Sequence, residues 1–235
     1  MREVPNPYNL AIETSCRQGS VSLGRGDELI STVAIPQPHR HAIELTPAID
    51  RLCKQHRVKP NQIGQVYVSI GPGSFTGLRI AVATAKMFAY VLDARLVAVP
   101  TIDVVAENAP TDRPHLAVCL NTKRDQMYAA VYRMADHRWR KIIDPALMTP
   151  AELCQSAPAP LAVMGDPLPD FEWPGHVELL DRALAVPTSD VVWRIGRDMA
   201  HRGEFTDPLK LLPLYARPPE AVELWNKRME ITKSE

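Results

Sequence analysis

The chain has 235 residues, 46% of them hydrophobic and 23% charged, with 27 basic against 27 acidic side chains. Such composition excludes disorder throughout and suits one large domain or two small lobes with real cores. The zero formal charge, with no basic excess or stripe legible along the chain, excludes a protein that grips nucleic acid alone through phosphates, so any RNA role is expected to be shared with a partner.

Tyr8 to Ile12 reads as a strand, Ser20 to Leu23 as a second at period two, and Leu29 to Ile35 as a third rich in β-branched residues. Short turns between them predict an antiparallel meander. From His41 to His56 the period changes: Leu45, Ala48, Ile49, Leu52 and Cys53 fall at helical spacing, with Pro47 either kinking that helix or starting it behind Thr46. Val66 to Ile70 predicts a buried strand, Gly71 to Gly77 a glycine loop, Thr76 to Leu92 a helix, and Leu96 to Val99 a short strand. The order to that point is βββαβαβ.

The second half opens similarly. Leu116 to Leu120 and Met127 to Arg133 predict strands around a polar turn at Asn121 to Gln126. Thr149-Pro150-Ala151-Glu152 is a capping box with proline at the first helical position. Leu161 to Met164 predicts a strand, and Asp190 to Arg202 a helix capped by Thr188 or Ser189. The 22 prolines, about twice the usual share, crowd between Pro145 and Pro174 and between Pro208 and Pro219, which predicts connectors there. Glu220 to Glu235 could form a last, polar helix. Two strand–turn–strand openings, each followed by alternating helices and strands, predict a duplicated α/β architecture.

Cys16, Cys53, Cys119 and Cys154 form no C-x-x-C pair, which argues against a zinc or thioredoxin-like motif and suits a reducing cytosol. The N-terminal run holds no apolar core of signal-peptide length, and the apolar stretch Ile80 to Leu92 is short and broken by Thr84 and Lys86. A cytoplasmic chain with no membrane segment is expected.

The most informative stretch is Ser69-Ile-Gly-Pro-Gly-Ser-Phe-Thr-Gly-Leu-Arg-Ile80. A glycine turn between strand and helix presents backbone N–H groups at the positive end of a helix dipole, which favours phosphate. Yet its spacing misses the dinucleotide fingerprint by one residue and lacks the Walker G-K-[S/T]. The alternative is that the glycines let a helix pack close to a sheet. Ser74 lies outside any G-x-S-x-G elbow.

The run Gly71-Pro-Gly-Ser-Phe-Thr-Gly-Leu-Arg79 resembles the signature of the TsaB family. Ala11-Ile-Glu-Thr-Ser15, Arg40-His41 with Leu45 and Pro47, and Tyr215-x-Arg217 are similar to that family too. The likeness covers Leu10 to Thr101 well and thins from Leu116 on. It implies the two-lobed α/β fold of actin, sugar kinases and heat-shock ATPases, each lobe a mixed sheet flanked by helices. Laid on this sequence, the N-terminal lobe falls at 1–105, the C-terminal lobe at 106–204, and a connector and tail packing back on the first lobe at 205–235. It also implies a non-catalytic scaffold subunit for threonylcarbamoyl transfer to adenosine 37 of tRNA. Its partners would be a TsaD-like catalytic subunit and a TsaE-like ATPase, with tRNA held only through the complex.

In ATPases of that superfamily an acid in the first turn organises the metal-bound nucleotide. Glu13, Thr14 and Ser15, with Gly71, Gly73, Ser74 and Thr76, are therefore the candidate phosphate or nucleotide contacts, Glu13 otherwise being a solvated strand-end acid. The matching turn of the second lobe departs from the family's D-A-R-x-G-E: Asn121 replaces a carboxylate and Asp125 fills a glycine position, so the two-loop clamp looks degenerate. The TsaD-type H-x-x-x-H pair has no counterpart in Val99 to Val105, and no two of the histidines stand at i, i+4; His41 packs or caps at a helix start. No metal, no cofactor and no catalytic residue is expected. The alternatives are a small-molecule kinase or ATPase of the same fold, and a metal-dependent peptidase. Finally, the helix after the loop is apolar nearly all round, where a surface helix keeps one wet face. Leu78, Arg79, Val82, Ala83 and Lys86, with Leu45, Ile49 and Leu52 of the preceding helix, are the candidate contacts for the TsaD-like subunit or for a second copy in a homodimer.

Overall fold

The computed structural model describes residues 7–35, 41–120, 125–166, 168 and 171–217. Three strands, β1 (Tyr8–Glu13), β2 (Ser20–Arg25) and β3 (Glu28–Ala34), form the expected antiparallel meander. Helix α1 (His41–Gln55) leads to β4 (Ile63–Gly71), and α2 (Phe75–Leu92) to β5 (Arg95–Pro100); β4 joins β1 and β5 joins β4 in parallel. The sheet order is β3-β2-β1-β4-β5. Pro47 lies inside α1, which begins at His41 rather than behind Thr46.

A second sheet repeats this pattern. It contains β6 (His115–Leu120), β7 (Met127–Ala135), β8 (Arg138–Met148), β9 (Leu161–Gly165) and β10 (Val177–Leu179), with α4 (Pro150–Ser156) between β8 and β9; α3 (Thr101–Ala106) links the sheets and α5 (Ser189–His201) follows. Its order is β10-β9-β6-β7-β8. Read from the meander edge, both sheets therefore run third, second, first, fourth, fifth strand, antiparallel on one side and parallel on the other. The duplication inferred from element order is present in the topology: this is a two-lobed α/β fold of actin-like type.

Three elements escaped the sequence. Helix α3 is buried at five of six positions, Thr101, Ile102, Val104, Val105 and Ala106, so it carries no amphipathic signature. Strand β8 holds Pro145 and reads as connector, but it is an edge strand, where a missing N–H costs no ladder bond. Strand β10 has only three residues. The proline-rich stretch from Pro145 thus includes the end of an edge strand as well as connectors. The expected tail helix at 220–235 lies outside the described residues.

Both faces of the first sheet are covered. On one, Leu10, Ile12, Val21 and Leu23 meet Leu45, Leu52, Ala81 and Ala85 of α1 and α2. On the other, Ala11, Tyr67, Val97 and Val99 meet Val191, Val192 and Trp193 of α5. Helix α5, which falls in the 106–204 stretch, thus lies on the first sheet. Its caps follow from that placement: neither Thr188 nor Ser189 caps it with its own side chain, and the Ser20 hydroxyl on β2 accepts from the Ser189 N–H at 2.9 Å. After α5 the chain runs along the first lobe. Thr206 N–H donates to the Leu96 carbonyl at 2.8 Å, Leu214 N–H to that of Ile70 at 2.7 Å, and Leu211 is buried against the α1–α2 core. The lobes meet at α3, where Asp103 accepts from the Tyr132 hydroxyl at 2.6 Å and pairs with Lys141 at 2.8 Å.

Candidate functional site: the interlobe cleft and the outer face of α2

The ends of β1, β4 and β5 open into a cleft of about 480 Å³ between the lobes. Ser15, Cys16, Pro72, Gly73 and Thr101 line it from the first lobe, Leu120, Asp166 and the 3₁₀ helix Arg182–Ala185 from the other side. A phosphate held here would need free donors from the glycine loop, so the state of that loop decides what the cleft can do.

The loop is closed on its own lobe. A Cβ at Gly77 would lie 1.9 Å from the Thr14 carbonyl oxygen, and one at Gly73 2.3 Å from that of Ser15. Thr14 is fully buried and its hydroxyl donates to the Gly77 carbonyl at 2.8 Å. Ser74 N–H donates to the Ser15 carbonyl at 2.6 Å, and the Ser74 hydroxyl caps α2 by accepting from Gly77 N–H at 3.2 Å. The Ser74 and Gly77 N–H groups are thus already partnered within the lobe, and two of the glycines serve backbone-to-backbone contact. Gly71 is buried against the Leu214 carbonyl and gives its N–H to Thr101 at 3.0 Å, while Thr76 is exposed on the first turn of α2. Of the seven candidate phosphate contacts, only Ser15 and Gly73 are among the cleft-lining residues.

Glu13 is not the solvated strand-end acid of the alternative reading. It is fully buried, with Oε1 accepting the Ser15 N–H. Burial pushes its pKa up, against the opposing pull of the nearby Ser15 and Ser69 hydroxyls and the Ser15 N–H. Ser69 and Thr101 share a 2.7 Å hydroxyl contact behind it. His41, the first residue of α1, is 5% exposed and its Nε2 lies 3.0 Å from the Cys16 carbonyl, so it packs the turn against the helix. Among the described residues no three of His, Cys, Asp and Glu converge as metal ligands. Asn121 to Arg124 of the second-lobe turn lie outside the described residues.

The candidate docking residues divide sharply. Leu45, Ile49, Leu52, Leu78 and Val82 are buried in the first core and cannot touch a partner while the lobe is folded. Their helical spacing marked the inner faces of α1 and α2, because periodicity reports an apolar stripe without saying what covers it. Arg79 and Ala83 are exposed and Lys86 half-exposed. Beside them on the outer face stand Phe75, Met87, Tyr90 and Val91, 43, 48, 62 and 73% exposed, with Ile43 of α1 at 60%. On a helical wheel Phe75, Met87, Tyr90 and Val91 lie on the side of α2 away from Ala81 and Ala85. Arg79 lies over the Phe75 ring at 3.9 Å, and that ring stacks on Tyr215 at 5.0 Å. Helix α2 has the length and hydropathy of a bilayer-crossing helix, and its placement accounts for this: one face is core, the other an uncovered apolar surface.

A family model described as tRNA N6-adenosine threonylcarbamoyltransferase, TsaD, matches residues 29–173, more than half of the chain. The chain is 30% identical over 124 residues to the tRNA threonylcarbamoyladenosine biosynthesis protein TsaB of Bacillus subtilis, covering 53% of this chain and 54% of that one. The chain belongs to the TsaD family. A TsaB of Buchnera aphidicola from Acyrthosiphon pisum is 27% identical over 52% of this chain and 56% of its own. This chain thus spans about half the length of the TsaB relatives it matches. The solved structure of YeaZ from Pseudomonas aeruginosa superposes with a TM-score of 0.77 at 22% identity, over 89% of this chain and 99% of that one, which shows the same fold.

Proposed function

We propose that the chain is a non-catalytic docking subunit of the cytoplasmic assembly that places threonylcarbamoyl on adenosine 37 of tRNA. In this reading it binds a TsaD-type catalytic subunit, with a TsaE-type ATPase completing the assembly. The TsaB-named relatives support the process, and the outer face of α2 supports the mode. That face exposes Phe75, Ala83, Met87, Tyr90 and Val91 together, with only Arg79 and Lys86 charged. Such a surface is costly to leave in water and suits an apolar partner rimmed with acids. The closed glycine loop argues against a kinase or ATPase acting in the cleft.

The test is co-elution of the purified chain with the TsaD-type subunit of the same cell on size exclusion, wild type beside Ala83→Glu. Ala83 is exposed, so the variant should keep its far-UV spectrum and urea midpoint while the complex is lost. A complex that survives Ala83→Glu overturns this surface, and no complex for wild type overturns the docking reading. Without the TsaD-type subunit the same face would pair with a second copy, and elution at twice the chain mass should likewise be lost in the variant.

A further inference from the structure

No basic stripe is legible along the sequence, yet strand register assembles one. His115 on β6 pairs with Arg133 on β7, and Arg133 pairs with Arg140 on β8. Paired residues on adjacent strands share a face of the sheet, and adjacent strands lie ~4.8 Å apart, so the three side chains form a row across β6, β7 and β8. Arg133 and Arg140 are exposed and His115 half-buried, its Nδ1 lying 3.2 Å from the Pro160 carbonyl. The neighbouring cations differ: Arg138 pairs with Asp198, and Lys141 with Asp103. Among the described residues neither Arg133 nor Arg140 has a carboxylate partner, although Asp136 stands in the hairpin turn and Asp144 further along β8.

Two like charges directly opposite each other weaken a strand pair, so folding gives no reason for this arrangement. We infer that the His115–Arg133–Arg140 row is a contact for the phosphate backbone of RNA. The inference rests on the tRNA process proposed above. Guanidinium forks match phosphate oxygens bidentately, and two side by side on a sheet face can hold neighbouring phosphates without reading sequence. The row lies on the second lobe, away from α1 and α2, so it stays open when a partner covers α2. A chain with no net charge can then still help hold a polyanion, because its free cations are placed together.

The test titrates the full chain, alone and mixed with its TsaD-type partner, into labelled tRNA at several salt concentrations. Wild type is compared with the double variant Arg133→Glu/Arg140→Glu and with Arg133→Lys/Arg140→Lys. Counterion release predicts a log–log salt slope shallower by about 1.4 to 1.8 in the glutamate variant, hence affinity lower by roughly 25- to 60-fold near 0.1 M salt. The lysine variant should keep most of the slope. Both sites are exposed, and the far-UV spectrum verifies folding; if the glutamate pair misfolds, Arg140→Gln alone should show half the slope change. Unchanged tRNA affinity and slope, or no tRNA binding by wild type in either sample, overturns the inference. So does loss of the TsaD-type partner with tRNA binding intact, which would make the row a contact for an acidic protein surface. Failure of the docking proposal is read separately, as absence of co-elution by wild type and without reference to RNA.

Discussion

Replacing Gly77 by alanine separates the two readings of the glycine loop. Gly77 sits in the first turns of α2, where alanine is favoured over glycine by ~1 kcal/mol on helix propensity alone. If the loop were an open cradle, the variant would be neutral or more stable. In the structure the new Cβ would lie 1.9 Å from the Thr14 carbonyl, where ordinary contact begins near 3.4 Å. Thr14 is fully buried, and its backbone carbonyl cannot swing aside as a long side chain would. Overpacking of this kind costs ~1–3 kcal/mol. Displacing the turn also strains the Thr14 hydroxyl bond to the Gly77 carbonyl, worth about 0.5–1.5 kcal/mol. Set against the propensity gain, the net is a loss of roughly 2 kcal/mol. With a urea m-value of ~2 kcal/mol/M the midpoint should fall by about 1 M. Gly175→Ala, where nothing lies within 4 Å of the new atom, is the control and should not move it. A midpoint for Gly77→Ala equal to or above that of wild type refutes the close-contact account.

Two further substitutions probe the buried acid and the capping box at Thr149. Because burial raises the Glu13 pKa above its ordinary 4.5, the folded chain binds that proton more tightly than the unfolded chain; stability is lost as pH rises from about 4.5 through the raised value. Glu13→Gln should therefore be more stable than wild type at neutral pH, with the gap closing toward pH 4.5 in urea melts, and a pH-independent gap would sink this account. Thr149→Ala removes the hydroxyl that accepts the Glu152 N–H at 3.2 Å and should cost about 1 kcal/mol. It should also let the Glu152 pKa, held down mainly by the Thr149 N–H and then by its hydroxyl, drift back up, as carboxyl NMR titration would show.

Periodicity found the elements that alternate against one neighbour and missed those that do not. Strand β2 and helix α1 show a clean period, β1, β3 and α2 were read from their residue content and flanking turns, and the capping box at Thr149 was explicit. Helix α3, wedged between two lobes, has no wet face to create a pattern, and β8 looked broken because Pro145 sits where an edge tolerates it. The same limit explains the site. Leu45, Ile49, Leu52, Leu78 and Val82 stood out because they are apolar at helical spacing, and for that reason they are core. The uncovered positions Met87, Tyr90 and Val91 are themselves spaced i, i+3, i+4, so spacing alone could not tell the outer face of α2 from its inner one. Glu13 looked like a strand-end acid because nothing local announces that the glycine loop and β4 will close over it. Arg133 and Arg140 are seven residues apart across a hairpin with an irregular register, so their meeting depends on pairing that composition cannot show.

The closed loop and the open helix are two consequences of one packing choice. In a strand–loop–helix unit, the donors at the start of the helix can face a ligand or be partnered by the protein, and the same donors cannot do both. Here the Ser15 carbonyl takes the Ser74 N–H and the Ser74 hydroxyl takes that of Gly77, while the Thr14–Ser15 turn holds α2 onto the first sheet by its inner face. That contact also fixes the direction of α2, so Phe75, Ala83, Met87 and Tyr90 are presented outward from a rigid support rather than from a mobile loop. A docking surface gains from rigidity because less side-chain and backbone freedom is lost on association. Opening the loop to admit a phosphate would release Ser74 N–H and the Thr14 hydroxyl together and unseat the first turn of α2. Nucleotide binding in the cleft and docking through α2 should therefore be mutually weakening. A variant that loosens the turn, such as Thr14→Val, should lower affinity for the TsaD-type partner although Thr14 is buried and far from the partner's reach.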